Sequence, residues 1–239
     1  MGLTDGLLER DGDLADLEAL LGEARDGSGA VALIHGEAGI GKTSLVRAFV
    51  ERHVDEAFVL TGGCDDLRTP RPLGPVWDMA YDDPSLFDAL GHDDRHQVFH
   101  RVLELCSRSL RPTIVVIEDV HWADEASLDL VTFLGRRIER THALLVLTFR
   151  DEPANADALA GLLADLPHDR RIHVPVRPLT LEAVRALAGD ELDPRSIWEV
   201  SGGNPFLATE LAAVGNSGVP ASVLDVAPRP GQRTLGRRP

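Results

Sequence analysis

Cysteine is nearly missing: the 239 residues hold two thiols, Cys64 and Cys106. Two are too few for a disulfide framework and they lack metal-ligand spacing, so ordinary reduced thiols are expected. The first residues, MGLTDGLLERDGD, have neither the basic nor the long apolar region of a signal peptide. No apolar run approaches the ~18–20 residues that a membrane span needs. Positive charge is also short, 24 Lys and Arg against 39 Asp and Glu, for a net −15. That balance excludes generic affinity for nucleic-acid backbone or an anionic membrane. A cytoplasmic protein with no membrane partner is the expectation. What is present, 44% hydrophobic and 26% charged residues, suits a globular α/β domain plus a small appendage.

No internal repeat is visible. Leu14, Leu17, Leu20 and Leu21 recur at helical spacing, which predicts a helix over 13–25. Apolar runs predict buried strands at Ala30–His35, Phe58–Thr61, Thr113–Ile117, Ala143–Phe149 and Arg171–Val174. Helices are expected at 43–53, 94–110, 124–140 and 155–165, with loop and short helices over 64–92. Strands alternating with helices predict an α/β three-layer sandwich on a five-stranded parallel sheet. After Pro178 the strands stop, and helices at 180–189, 193–201 and 205–214 predict a small helical subdomain. The end, Pro228–Pro239, carries four arginines and no acid and is expected to be disordered.

Gly36-Glu37-Ala38-Gly39-Ile40-Gly41-Lys42-Thr43 fits G-x-x-x-x-G-K-[ST] at every fixed position, between a strand and a helix. Glycines let backbone N–H groups close around a β-phosphate, and the following helix adds unpaired N–H groups and its dipole. Lys42, placed at an exposed loop–helix junction, reaches the β- and γ-phosphates. Thr43 ligates Mg²⁺, and Ser44 completes the loop. ATP or ADP with Mg²⁺ is the expected ligand.

A P-loop nucleotidase also needs a carboxylate at the end of a neighbouring strand. Ile114–Ile117 runs into Glu118 and Asp119. Side chains alternate along a strand, so one acid faces the metal. Glu118 is assigned to Mg²⁺ and Asp119 to water polarisation, with the reverse as the alternative. Asp124 is expected to cap the next helix. His121 and Trp122 are candidates for sensing nucleotide or for packing, packing being preferred for Trp122. With strands three and four expected to flank the first, Arg150 is a γ-phosphate sensor or else a surface partner of Asp151 or Glu152.

Leu7–Arg10, Gly36–Thr43, Ile114–Asp124 (IVVIEDVHWAD) and Ser201–Phe206 (SGGNPF) together resemble the large LuxR-type regulators of the STAND branch of AAA+-like P-loop ATPases. The likeness runs from about residue 5 to 226. It implies a switch held closed by ADP and opened by ATP for self-association or partner binding, with slow hydrolysis. It implies that Leu8–Arg10 lies near the adenine, that Pro205 belongs to a motif closing a helical lid, and that Arg150 is the sensor arginine. Glu118 stands where many P-loop ATPases have Asp, which implies altered Mg²⁺ geometry. Relatives continue to a sensor region and a helix-turn-helix, whereas here Val219–Val223 runs into the arginine-rich end. A truncated chain or an isolated module without direct DNA binding is expected. The expected parts are an N-terminal segment (1–27), a P-loop core (28–176), a lid (177–226) and the tail (227–239).

Overall fold

A computed structural model describes residues 7–91, 94–108, 110–152, 156–189 and 192–214. The predicted tail and the stretch Val219–Val223 lie outside the described residues. By contact, the described chain divides into two compact units, one of residues up to 37 with 41–177, the other of 38–40 with residues from 178 onward.

The first unit is built on five strands: β1 (Ala30–His35), β2 (Phe58–Gly63), β3 (Thr113–Glu118), β4 (Ala143–Phe149) and β5 (Arg171–Pro175). All pairings are parallel, in the order β2-β3-β4-β1-β5. β1 reads as Ala, Val, Leu and Ile up to His35, and β4 as Ala, Leu and Val up to Thr148, because both of their faces are buried. Val31, Leu33, Val115, Ile117, Leu145 and Leu147 join one core cluster. It also takes in α3 (Gly74–Asp82), α5 (Arg95–Cys106), α6 (Glu125–Gly135) and α7 (Ala156–Asp165). The alternate positions Ala32, Ile34, Ile114, Val116, Leu144 and Val146 are equally buried, as the two-residue period of a strand requires. α1 (Asp11–Arg25) packs against β1, β4 and α2 (Lys42–His53), presenting Leu14, Leu17, Leu20, Leu21 and Ala24.

One topological expectation is corrected. β1 is flanked by β4 and β5, and β3 lies beyond β4. Chain order does not fix spatial order when each connection is a helical crossover, and the apolar β1 and β4 take central places. The predicted helix 124–140 also ends early. α6 stops at Gly135, whose Cβ position Leu166 Cδ2 approaches to 2.2 Å, and a 3₁₀ turn at Ile138–Arg140 follows. α4 (Ser85–Leu90) completes the short helices expected over 64–92.

The second unit holds α8 (Leu181–Ala188), α9 (Pro194–Ser201) and α10 (Pro205–Val214). Thr180 and Asp193 cap the first two by accepting backbone N–H bonds. Trp198 Nε1 donates to Leu179 O at 3.0 Å, and Leu179 N donates to Gly203 O at 2.7 Å.

Candidate functional site

Gly36, Gly39 and Gly41 take φ of 147°, 72° and 101°, conformations that a side chain disfavours. They turn the chain from β1 into α2, whose N-cap is Gly41. Lys42 is not at an exposed junction: it is 8% exposed. Its Nζ donates to Gly36 O and Glu37 O, both at 2.9 Å, so the ammonium closes the loop from within. Burial pushes its pKa down, partly opposed by the Asp119 carboxylate.

Thr43 Oγ1 donates to Glu118 Oε2 at 2.5 Å, across 75 residues. A hydroxyl and a carboxylate at this spacing are hard oxygen donors of the kind Mg²⁺ takes. Together with the glycine-lined loop they fit a nucleotide phosphate and its metal. Asp119 does not continue the strand alternation. It sits in the left-handed region, φ 54° and ψ 46°, with its N–H donating to Thr148 Oγ1 at 2.9 Å. Asp tolerates that conformation better than most residues. Backbone bonding thus fixes residue 119 and leaves its carboxylate facing the electrostatic field of Lys42.

Among the neighbours, Asp124 is the N-cap of α6, accepting from Ala126 N and Ser127 N. Trp122 packs partly buried against the core, with the Arg150 guanidinium 4.6 Å from its ring centroid. Arg150 Nη1 also lies 3.8 Å from Glu152 Oε1, so the expected surface partner is present. His121 has a side chain only 1% exposed, with Nδ1 3.8 Å from Asp119 Oδ1. Burial, first of the causes, lowers its pKa.

Arg10 and Pro205 are the two expected site residues that lie, in sequence, outside these segments of the first unit's strands and loop. Arg10 is 4% exposed and donates from Nη2 to Arg177 O at 2.7 Å and from Nη1 to Glu9 O at 3.1 Å. Pro205 is the first residue of α10, the position where a missing N–H costs nothing. Within the second unit, Asn204 Nδ2 donates to Ala38 O at 2.9 Å and Phe206 N to Gly39 O at 3.3 Å. A Cβ on Gly39 would lie 2.9 Å from Phe206 Cβ. Ser44 is an exposed residue of the first turn of α2.

Sequence reasoning missed a pair beside the loop. His35, the last residue of β1, directs Nδ1 at both carboxylate oxygens of Asp151, at 2.9 and 2.8 Å. The one available signal was a histidine directly ahead of the glycine loop.

Comparisons with known proteins bear on the family and the fold. A family described as AAA ATPase domain matches residues 6–147. An uncharacterized protein of Rhizobium meliloti (strain 1021) is 26% identical over an alignment of 259 positions, gaps included, covering 86% of this chain and 24% of that protein. The chain therefore spans about a quarter of the length of that relative. Among solved structures, a STAND protein with a tetratricopeptide repeat sensor from Pyrococcus horikoshii superposes with a TM-score of 0.53 at 19% identity, covering 87% of this chain and 31% of that one. The ORC2 protein of Aeropyrum pernix, solved as ADPNP and ADP complexes, gives 0.59 at 15% identity, covering 87% and 61%. At such identities these two show the shared P-loop fold. With its family match over more than half its length and its five-stranded parallel sheet, the chain belongs to the AAA ATPase domain family.

Proposed function

We propose that this chain is an ATP-binding, slowly hydrolysing STAND-type switch module of a LuxR-type regulator. The observation that carries the reading is the meeting of Thr43 Oγ1 and Glu118 Oε2 at the mouth of the loop that Lys42 closes. The loop N–H groups from Gly36 to Ser44 and the Lys42 ammonium bind the phosphates. Thr43 and Glu118 are the residues that would hold Mg²⁺, which would supply neutralisation of phosphate charge. Asp119 orients water for in-line attack and takes its proton. Arg150 stabilises the charge gathering on the γ-phosphoryl.

Slow turnover is supported by the Glu118 side chain, longer than the Asp of many P-loop ATPases. The LuxR and STAND assignments are supported by the VHWAD and GNPF stretches. Asn204 and Phe206 of the latter bond Ala38 and Gly39. ATP-dependent self-association or binding of a partner protein is part of this reading. The net charge of −15 supports a module that does not itself bind DNA. No helix among the described residues is long and apolar enough to cross a membrane, which supports the cytoplasmic reading.

The test is phosphate release and Mg²⁺-dependent ATP binding in two variants. Asp119→Asn is expected to keep binding and lose hydrolysis, and Glu118→Gln to weaken the Mg²⁺ dependence of binding. Swapped phenotypes reverse the two roles. ATP binding by the wild type without phosphate release would make the chain a nucleotide-gated interaction module instead.

A further inference from the structure

The side chains just behind the candidate phosphate site form a second arrangement. In the parallel pairing of β1 with β4, His35 stands opposite Phe149. Their rings stack with centroids 5.2 Å apart and planes within 5°. His173, on β5, closes the other side edge-on at 5.5 Å. The His35 side chain is 18% exposed, and Nε2 is buried with no hydrogen-bond partner among the described residues. Held there, the ring reaches forward along β4 and places Nδ1 on the Asp151 carboxylate, at 2.8 and 2.9 Å.

Each strand leads directly into a phosphate-facing element of the reading above. His35 is followed by Gly36, and Phe149 by Arg150. Arg150 therefore sits between two fixed neighbours, Phe149 in the sheet and Asp151 tied to β1. Its guanidinium is further restrained over Trp122 and by Glu152. The bridge is also electrically close to the loop, since Arg150, Asp151 and Glu152 all act on the titration of Lys42. An exposed ion pair contributes little by itself. A bond that fixes the backbone on one side of a long arginine acts instead by limiting where that arginine reaches.

We infer that His35 and Asp151 are positioning residues, a bridge from the base of the phosphate loop to the segment after β4 that aims Arg150 at the γ-phosphate and so lets the site distinguish ATP from ADP. The inference rests on the role given to Arg150 above. In this arrangement the bridge acts on the γ-phosphate alone and leaves recognition of the α- and β-phosphates to the loop.

The experiment measures ATP and ADP affinities, with Mg²⁺, of the full chain and its variants. His35→Phe keeps a ring for Phe149 and loses the N–H. His35→Asn keeps a donor at the place of Nδ1 and loses the ring. Arg150→Leu sets the full loss of γ-phosphate recognition. The expected result is that His35→Phe lowers the ATP-over-ADP preference about 3- to 10-fold through ATP alone, and that His35→Asn restores most of it. Asp151→Ala should match His35→Phe, and the double variant should be no worse than either single one. An unchanged preference in His35→Phe, with Arg150→Leu impaired, overturns the bridge alone. An unchanged preference in Arg150→Leu overturns the role of Arg150 and the bridge with it. Equal loss of ATP and ADP affinity in His35→Phe, unrescued by Asn, would make the histidine a structural residue and also overturn the inference.

Discussion

At Cys106 the thiol is fully enclosed, and burial pushes its pKa up to about 12. Cys64 reaches about 12 as well, first through burial and then through Asp124, Asp119, Asp65 and Asp78. The reactive form is the thiolate, so neither thiol of the folded protein should react with a disulfide reagent at pH 8, whereas the denatured protein should titrate two. Rapid stoichiometric labelling of the native chain would contradict the packing around both. The same shift sets a pH dependence. The folded-state pKa lies above the unfolded ~8.5, so the native state holds protons that the unfolded state has lost. Stability from this source is complete below about pH 8.5 and declines as pH rises toward 12, by up to ~1.4 kcal/mol per unit per thiol. Urea midpoints at pH 8 and 10 check it, and a midpoint that rises with pH would be the wrong sign. The reduced state of these thiols was legible in their number, but their inertness depends on neighbours that only the fold supplies. The same holds for Lys42. The motif placed it, yet nothing in the motif showed its ammonium held by Gly36 O and Glu37 O.

Asp124 shows how an element boundary follows from one side chain. Oδ1 accepts from Ala126 N at 3.0 Å and Ser127 N at 3.1 Å at the start of α6, and from Leu73 N at 3.3 Å from another segment. Asp124→Ala should therefore lower stability by ~1–2 kcal/mol, towards the upper figure because Leu73 also loses its partner. Asp124→Asn should retain most of it. Equal urea midpoints for Ala and wild type would remove the capping role. At the edge strand, Gly62 has Pro75 O 2.1 Å from where a Cβ would stand. Gly62→Ala must push backbone of α3 away from β2, an overpacking that costs ~1–3 kcal/mol. A melting temperature equal to wild type would mean that α3 and β2 do not approach so closely. Most elements could be read from apolar runs and spacing: five strands and the leucine stripe of α1 stand where these put them. Helix ends were less legible. α6 ends at Gly135, where a Cβ would lie 2.2 Å from Cδ2 of Leu166, a residue that lies 31 positions on and is brought there only by tertiary packing.

For the molecule as a whole, the α/β class followed from alternation of strand and helix, and the loop from its glycine spacing. The strand order did not follow, because periodicity reports burial and is silent about neighbours. Placing β3 beyond β4 rather than beside β1 required the pairing itself. The His35–Asp151 bridge was hidden for the same reason, its partners being 116 residues apart and joined only through the β1–β4 register. The association of Thr43 with Glu118 was foreseeable from the two motifs, though the left-handed turn at Asp119 was not. These parts meet in one claim, that the loop from Gly36 to Thr43 binds ATP through Lys42. The most direct measurement is an ATP titration with Mg²⁺ of the wild type and of Lys42→Met, which keeps the length of the buried stem, with melting curves to show that both are folded. A charge-assisted phosphate contact of ~1.5–3 kcal/mol predicts a loss of about 10- to 150-fold in affinity. Equal affinities of two folded proteins would contradict the account.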